Sequence, residues 1–230
     1  MTMAVNVAFE HDGFVPVIHI SKMFNKYIDE LQAHEKLGNK QSVALGGIVP
    51  NLLRAPKAIS HQTLLKRLKS LRKEFASKNI HIFGVGGVST LHLAAALEID
   101  SVDSSGWRNR AARGIIQLPG KSERSVADLG SWKGRKLNDD EMADLKNCSC
   151  PACKNNGIEG LTFPKSQGFH NRATHNLWVL LQENKWIEER KNEGSYWSSY
   201  NRRIENSVYR NLIDTLAEEH VKRKKRETKH

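Results

Sequence analysis

The sequence predicts an α/β architecture of the (β/α)-barrel type, with only part of the barrel present, a small metal-binding lobe and C-terminal helices. Three observations carry that expectation. Short β-branched runs alternate with amphipathic stretches as far as Asp103, the pattern of a parallel sheet with helices packed against it. Each run ends in something chemically suggestive: His19, Gly46-Gly47, Gly84-Val85-Gly86-Gly87 and Asp103. Carboxyl ends of strands form the functional face of (β/α) barrels, so this succession favours a barrel over a doubly wound sheet. Finally, the chain's three cysteines all fall in Cys148-Ser149-Cys150-Pro151-Ala152-Cys153.

The elements follow in order. Phe14-Val15-Pro16-Val17-Ile18-His19-Ile20 reads as a strand, with Val5 to Phe9 as a further candidate before it. Ser21 is placed to cap a helix to about Leu37. Ser42 to Leu45 is a short strand, and Ser60 to Ala76 a helix with Leu64, Leu65, Leu68 and Leu71 at helical spacing. Asn79 to Phe83 is a strand, Ser89 to Leu97 a helix and Ile99 to Val102 a short strand. Residues 104 to 147 break the rhythm with Gly, Ser and charge. A helix is expected from His175 to Arg190, with Leu177, Leu180, Leu181 and Trp186 on its apolar side. A last helix from Tyr196 to His220 would bury Ile204, Val208, Leu212 and Leu216. The expected divisions are 1–120 for the partial barrel, 121–195 for the metal-binding part and 196–230 for the terminal helix and basic tail.

Composition narrows the partners. With 36 Lys and Arg against 25 Asp and Glu the net charge is +11, which points to a polyanion such as nucleic acid. Basic clusters occur at residues 65–73, at Arg108, Arg110 and Arg113, and at residues 222–226. No apolar run approaches a membrane span and no secretory pattern opens the chain, so a reducing, cytoplasmic address is expected.

A Cys-x-Cys-x-x-Cys cluster followed by one histidine is the donor set of a closed Cys₃His zinc site, and an odd cysteine count argues against disulfides. Two histidines, His170 and His175, are placed to be the fourth ligand. His175 is preferred because it opens the predicted helix.

Four segments in order resemble the tRNA-guanine transglycosylase superfamily over roughly residues 14 to 190: Ala44-Leu45-Gly46-Gly47-Ile48, Phe83-Gly84-Val85-Gly86, Leu97-Glu98-Ile99-Asp100-Ser101-Val102-Asp103-Ser104, and the cysteines with His175-Asn176-Leu177. The resemblance implies that Asp103 is the nucleophile of a guanine exchange. It implies that Gly46, Gly47, Gly84 and Gly86 lie against the incoming base, and that Cys148, Cys150, Cys153 and His175 hold a structural Zn²⁺. His19 would occupy the place of a base-reading glutamine. Arg108, Arg110 and Arg113 would grip phosphates beside a flipped-out nucleotide. The substrates implied are DNA or tRNA and a 7-deazaguanine base. Trp107 and Trp178 have stacking potential, with packing the expected role for Trp178.

The chain departs from the family in two places. Only four or five strands are visible, and the part of the barrel that carries the family's acid/base aspartate is missing. Three readings follow: a truncated product, one half of a split enzyme whose second subunit supplies the missing part, or a compact variant with Glu10 and Asp12 as local substitutes. A non-catalytic, zinc-stabilised nucleic-acid-binding subunit is the alternative function. Asp103-Ser104-Ser105-Gly106-Trp107-Arg108, residues 129–135 and residues 168–178 look more like the branch that modifies DNA, which tilts the expectation toward DNA.

Overall fold

The structure, a computed structural model, describes residues 2–9, 11–129 and 134–227. Two compact units divide the chain: residues 1–85, 93–104 and 212–230 form the first, residues 86–92 and 105–211 the second. Glu10 and the Gly130-Ser131-Trp132-Lys133 part of the 129–135 segment lie outside the described residues.

The first unit holds α1 (Thr2–Ala8), β1 (Val17–His19), α2 (Phe24–Ala33), α3 (Glu35–Gly38), β2 (Ser42–Gly46), α4 (Ile48–Leu52), α5 (His61–Glu74) and β3 (Asn79–Ile82). After α6 (Val88–Ala96), which runs from the second unit into the first, comes β4 (Ser101–Val102). The four strands form one parallel sheet in the order β1-β2-β3-β4, without the reversal that marks a doubly wound sheet. Ile18, Val43, Leu45, Ile80 and Ile82 are buried, as are Leu64, Leu65, Leu68 and Leu71 along α5. Ser60 caps α5 by accepting the Thr63 N–H at 3.1 Å.

The candidate strand Val5 to Phe9 is instead the end of α1, from Val5 to Ala8, and the turn residue Phe9. Its buried Asn6 explains why: the side-chain amide donates to Val17 O at 2.9 Å and accepts from Val17 N–H at 3.0 Å. One side chain thus supplies both bonds that a neighbouring strand would make to that residue. β1 itself is shorter than expected, starting after Pro16, which lacks an N–H. The helix expected from Ser21 breaks in two at His34, whose extended backbone ends α2 and whose Nδ1 caps α3 at Leu37 N–H.

The second unit contains α7 (Gly106–Ala112), the antiparallel pair β5 (Ile115–Ile116) and β6 (Arg124–Ser125), α8 (Asp139–Lys146), α9 (Pro151–Asn156), α10 (Glu159–Thr162), α11 (Lys165–Asn192), α12 (Tyr196–Ser199) and a 3₁₀ turn at Tyr200–Arg203. Residues 104–129 and 134–147 are therefore more ordered than their composition suggests. α8 opens with a reciprocal capping box, Asn138 with Glu141, and Arg124 is buried in an ion pair with that same Glu141. α13 (Arg210–Glu227) begins at the edge of this unit and continues in the first.

Two helices depart from the apolar pattern. α11 begins ten residues before His175, at Lys165, so His175 sits in its middle. Its buried face carries Asn171, Arg172, His175, Asn176 and Glu183, while Leu177 and Leu181 are 38% and 56% exposed. Polar residues inside and leucines outside hid its true extent. The expected terminal helix from Tyr196 is broken before α13, and Val208, expected in its stripe, is 80% exposed. No helix among the described residues is long and apolar enough to cross a membrane.

Candidate active site and metal centre

Strand register places a row of residues across the carboxyl ends of the sheet. His19 pairs with Gly46, and Ala44, His81 and Ser101 line up along the same face. Side chains alternate along strands, so Phe83 and Asp103, each two residues further on, fall on that face too. The first unit therefore brings together His19, Gly46, Gly47, Gly84 and Asp103 of the residues singled out in the sequence. A Cβ on Gly46 would come within 2.7 Å of the His19 ring, so the histidine lies across a position that only glycine leaves open. Gly47, at φ +76°, makes the turn from β2 into α4, and its carbonyl accepts from Asn51 at 2.6 Å.

Asp103 is held without being hidden. Its Oδ1 accepts the Gly84 N–H at 2.8 Å, while 59% of the side chain remains exposed. Gly84 has φ +76°, and a Cβ there would press to 2.8 Å from Val49 Cγ2. His81 Nε2 lies 3.5 Å from the same carboxylate oxygen, and its Nδ1 is fixed by Ser101 Oγ at 2.9 Å. His81 was absent from the residues the sequence singled out. The two-residue period that links it to Phe83 and Asp103 was the available signal. Asp100 has a different fate: its Oδ2 accepts the Ile80 N–H at 2.7 Å and an Arg72 N–H at 3.0 Å, tying strand starts together.

Asp12 does not join the row. It lines a cavity of about 510 Å³ with Gln41 and Ser42, at the amino-terminal end of β2. In a parallel sheet that is the end opposite Gly46, so Asp12 cannot substitute for a carboxylate beside Asp103.

The second unit assembles the metal centre. The Sγ atoms of Cys148, Cys150 and Cys153 lie 3.7, 3.5 and 3.6 Å from His175 Nδ1, and the four donor atoms lie within 4.8 Å of one another. Tetrahedral bonds to sulfur and nitrogen around zinc would separate those atoms by about 3.6 Å, so this donor set fits a metal ion. Hydrogen bonds from Cys150 and Cys153 hold the Cys148 thiol far below its usual range, favouring a thiolate. Contacts with Cys148 and Cys150 push Cys153 far above it. Cys150 also caps α9, accepting the Cys153 N–H at 3.3 Å. His175 Nε2 donates to Gln117 O at 2.9 Å, which leaves Nδ1 as the ligating nitrogen. His170 is exposed, one and a half turns earlier on the same helix, and is not in the cluster. His175 is thus the histidine of the set, although it does not open a helix.

Around the cluster, α11 uses its buried polar side chains as clamps. Asn176 donates to Trp107 O at 3.1 Å and Ile115 O at 3.0 Å and accepts from Gln117 N–H at 2.7 Å. Arg172 donates to Ala111 O and Leu161 O, each at 2.8 Å. None of these clamps was legible as apolar periodicity. Of the three arginines, Arg108 and Arg113 are exposed, whereas Arg110 Nε pairs with Glu123 at 2.5 Å. Gly86 and these arginines belong to the second unit.

The profile of the queuine tRNA-ribosyltransferase family matches residues 23–208. The tRNA-guanine(15) transglycosylase of Pyrococcus abyssi is 27% identical over 176 residues, covering 74% of this chain and 27% of that protein. The protein of the same name from Archaeoglobus fulgidus is 27% identical over 161 residues, with 70% and 30% covered. That from Methanocaldococcus jannaschii is 30% identical over 131 residues, with 56% and 18% covered. The chain spans less than a third of the length of these curated relatives. Since the matched stretch takes in the Gly46-Gly47 turn, Asp103 and the whole Cys₃His cluster, this chain belongs to the queuine tRNA-ribosyltransferase family.

Proposed function

We propose that the chain carries the nucleophilic half of a nucleic-acid guanine exchange, with Asp103 as the attacking carboxylate. The observation that supports this most directly is the exposed Asp103 carboxylate anchored by Gly84 N–H, on one sheet face with Gly46 and His19. Displacement at a glycosidic carbon passes through a cationic transition state that an adjacent carboxylate stabilises and then captures. In the first step an Asp103 oxygen bonds to C1′ as the C1′–N9 bond to guanine breaks, and the departing base takes up a proton. In the second, N9 of the incoming base, a 7-deazaguanine in this reading, gives up its proton to the acid–base group that protonated the departing guanine, attacks C1′ and releases Asp103. His81 is the residue placed to orient the carboxylate.

Glycosidic chemistry ordinarily employs a second carboxylate as acid and base. Asp100 is committed to Arg72 and Ile80, and Asp12 is at the other end of β2. Glu10 lies outside the described residues, and we assign the second carboxylate to a partner subunit. The cluster takes zinc in a structural role, because four protein donors leave no position for water. A reducing, cytoplasmic setting keeps its thiols available.

For the polymer, the names of the relatives support tRNA. The DNA reading is supported by the resemblance of three segments, Ser104-Ser105-Gly106-Trp107-Arg108, residues 129–135 and residues 168–178. Incubation with labelled guanine or 7-cyano-7-deazaguanine and either tRNA or duplex DNA, with and without a candidate partner subunit, separates the two. Incorporation abolished in Asp103→Ala is the expected result. Undiminished incorporation in that variant would refute the nucleophile.

A further inference from the structure

The second unit has an open groove that the exchange chemistry leaves unused. It has a volume of about 430 Å³ and runs between α7 and α11, with Pro151 of α9 at its edge. Trp107, Phe169 and Trp178 contribute half-buried aromatic rings, and Leu177 and Leu181 contribute exposed aliphatic surface. Arg108 supplies a positive charge beside the polar ring of His170, and no carboxylate lines it among the described residues.

We propose that this groove binds one unstacked nucleotide of the nucleic-acid substrate, its base against the aromatic rings and its phosphate on Arg108. The occupant follows from charge complementarity. An apolar groove that offers a cation and no carboxylate, on a chain of net charge +11, suits a flat aromatic ligand bearing a negative charge. Sequence-tolerant single-strand binding uses this pairing of stacking surface with backbone charge.

The walls are also pre-set. Asn176 and Arg172 hold the carbonyls of Trp107 and Ala111 at the two ends of α7, so α7 is pinned to α11 on either side of Arg108. Trp178 packs against the apolar cluster that contains Cys150 and Cys153, and Pro151 follows Cys150 directly. The metal centre therefore braces the opposite wall. A groove held open by buried bonds loses little freedom when it binds. The inference rests on the proposed function for its polymer and for Arg108 as a phosphate contact, and it does not depend on Asp103.

The test is fluorescence anisotropy with a labelled single-stranded oligonucleotide and an abasic oligonucleotide of the same length and charge. The full chain carries Asp103→Ala, so exchange cannot contribute to the signal. The parent is expected to bind the base-bearing strand at least about fivefold more tightly than the abasic one, as one stacked base implies. Trp107→Ala and Leu181→Glu should erase that preference, and Val208→Glu, an equal charge change on an 80% exposed residue outside the groove, should keep it. The parent comparison requires no variant to fold. Equal binding of the two strands by the parent would overturn the proposal, as would a preference that survives both groove variants. A change in sedimentation coefficient on Leu181→Glu with base preference intact would assign the groove to a second copy of the chain, and also overturn it.

Discussion

Glu183 is a carboxylate with no exposed side-chain surface, and a buried charge persists only when donors surround it. Its Oε1 accepts from His92 Nε2 at 2.8 Å and Arg203 Nε at 2.9 Å, and its Oε2 from Gly120 N–H at 3.1 Å and Arg203 Nη2 at 2.5 Å. Burial alone would raise its pKa, but the bonds from His92 and Arg203 prevail and hold it below the usual glutamate value of 4.5. A depressed carboxylate stabilises the fold fully above its unfolded pKa, and that contribution is lost as pH falls through the folded value. Unfolding midpoints in urea should therefore hold steady from neutral pH down to about 5 and drop below that. Glu183→Gln should cost about 1–3 kcal/mol at pH 7, because it leaves the half-buried Arg203 and buried His92 without their charged partner. It should also flatten the acid limb. A loss under about 1 kcal/mol, with the acid limb unchanged, would show that the network contributes little. None of this was legible in the sequence, because charges at helical spacing ordinarily mark a solvated face.

At the scale of elements, α11 is a buried polar spine that carries His175, the histidine of the candidate metal cluster. The sequence disclosed the cysteine spacing and named His175, but placed it at a helix start. Gly168 contributed to that error: glycine weakens helix propensity, yet a Cβ here would lie 1.6 Å from Phe163 O, so the close approach of chain and helix requires it. Metal analysis distinguishes the ligands. About one zinc ion per chain is expected, lost in Cys150→Ser and His175→Ala together with much of the thermal stability, and retained in His170→Ala. Zinc retained in His175→Ala would refute the ligand set.

The edge of β1 is the second element-scale feature. Asn6 substitutes for a neighbouring strand at Val17, and a hydrogen-bonding side chain reads as polar surface in any hydropathy pattern, which is why Val5 to Phe9 resembled a strand. Asn6→Ala leaves the N–H and C=O of half-buried Val17 without these partners and should lower stability by about 1 kcal/mol. Chemical denaturation measures this directly, and an unchanged midpoint would mean that the amide bonds add nothing.

At the scale of the whole molecule, what the sequence disclosed was the succession of strand ends. Four parallel strands in simple order, with Gly46-Gly47, Gly84 and Asp103 at one end, follow from local patterning that survives with little tertiary context. The residues that hold that end in shape, His81 beneath Asp103 and Asp100 on Arg72, depend on register between strands, and register is not written in any one segment. The exchange reading rests on Asp103 forming a bond to the sugar. The most direct test is to mix the chain, with and without a candidate partner subunit, with labelled nucleic acid and guanine analogue, quench in denaturant, and map any covalent adduct by peptide mass spectrometry. The account predicts an adduct on the peptide containing Asp103 that disappears in Asp103→Asn. An adduct on another residue, or one that persists in Asp103→Asn, would contradict it.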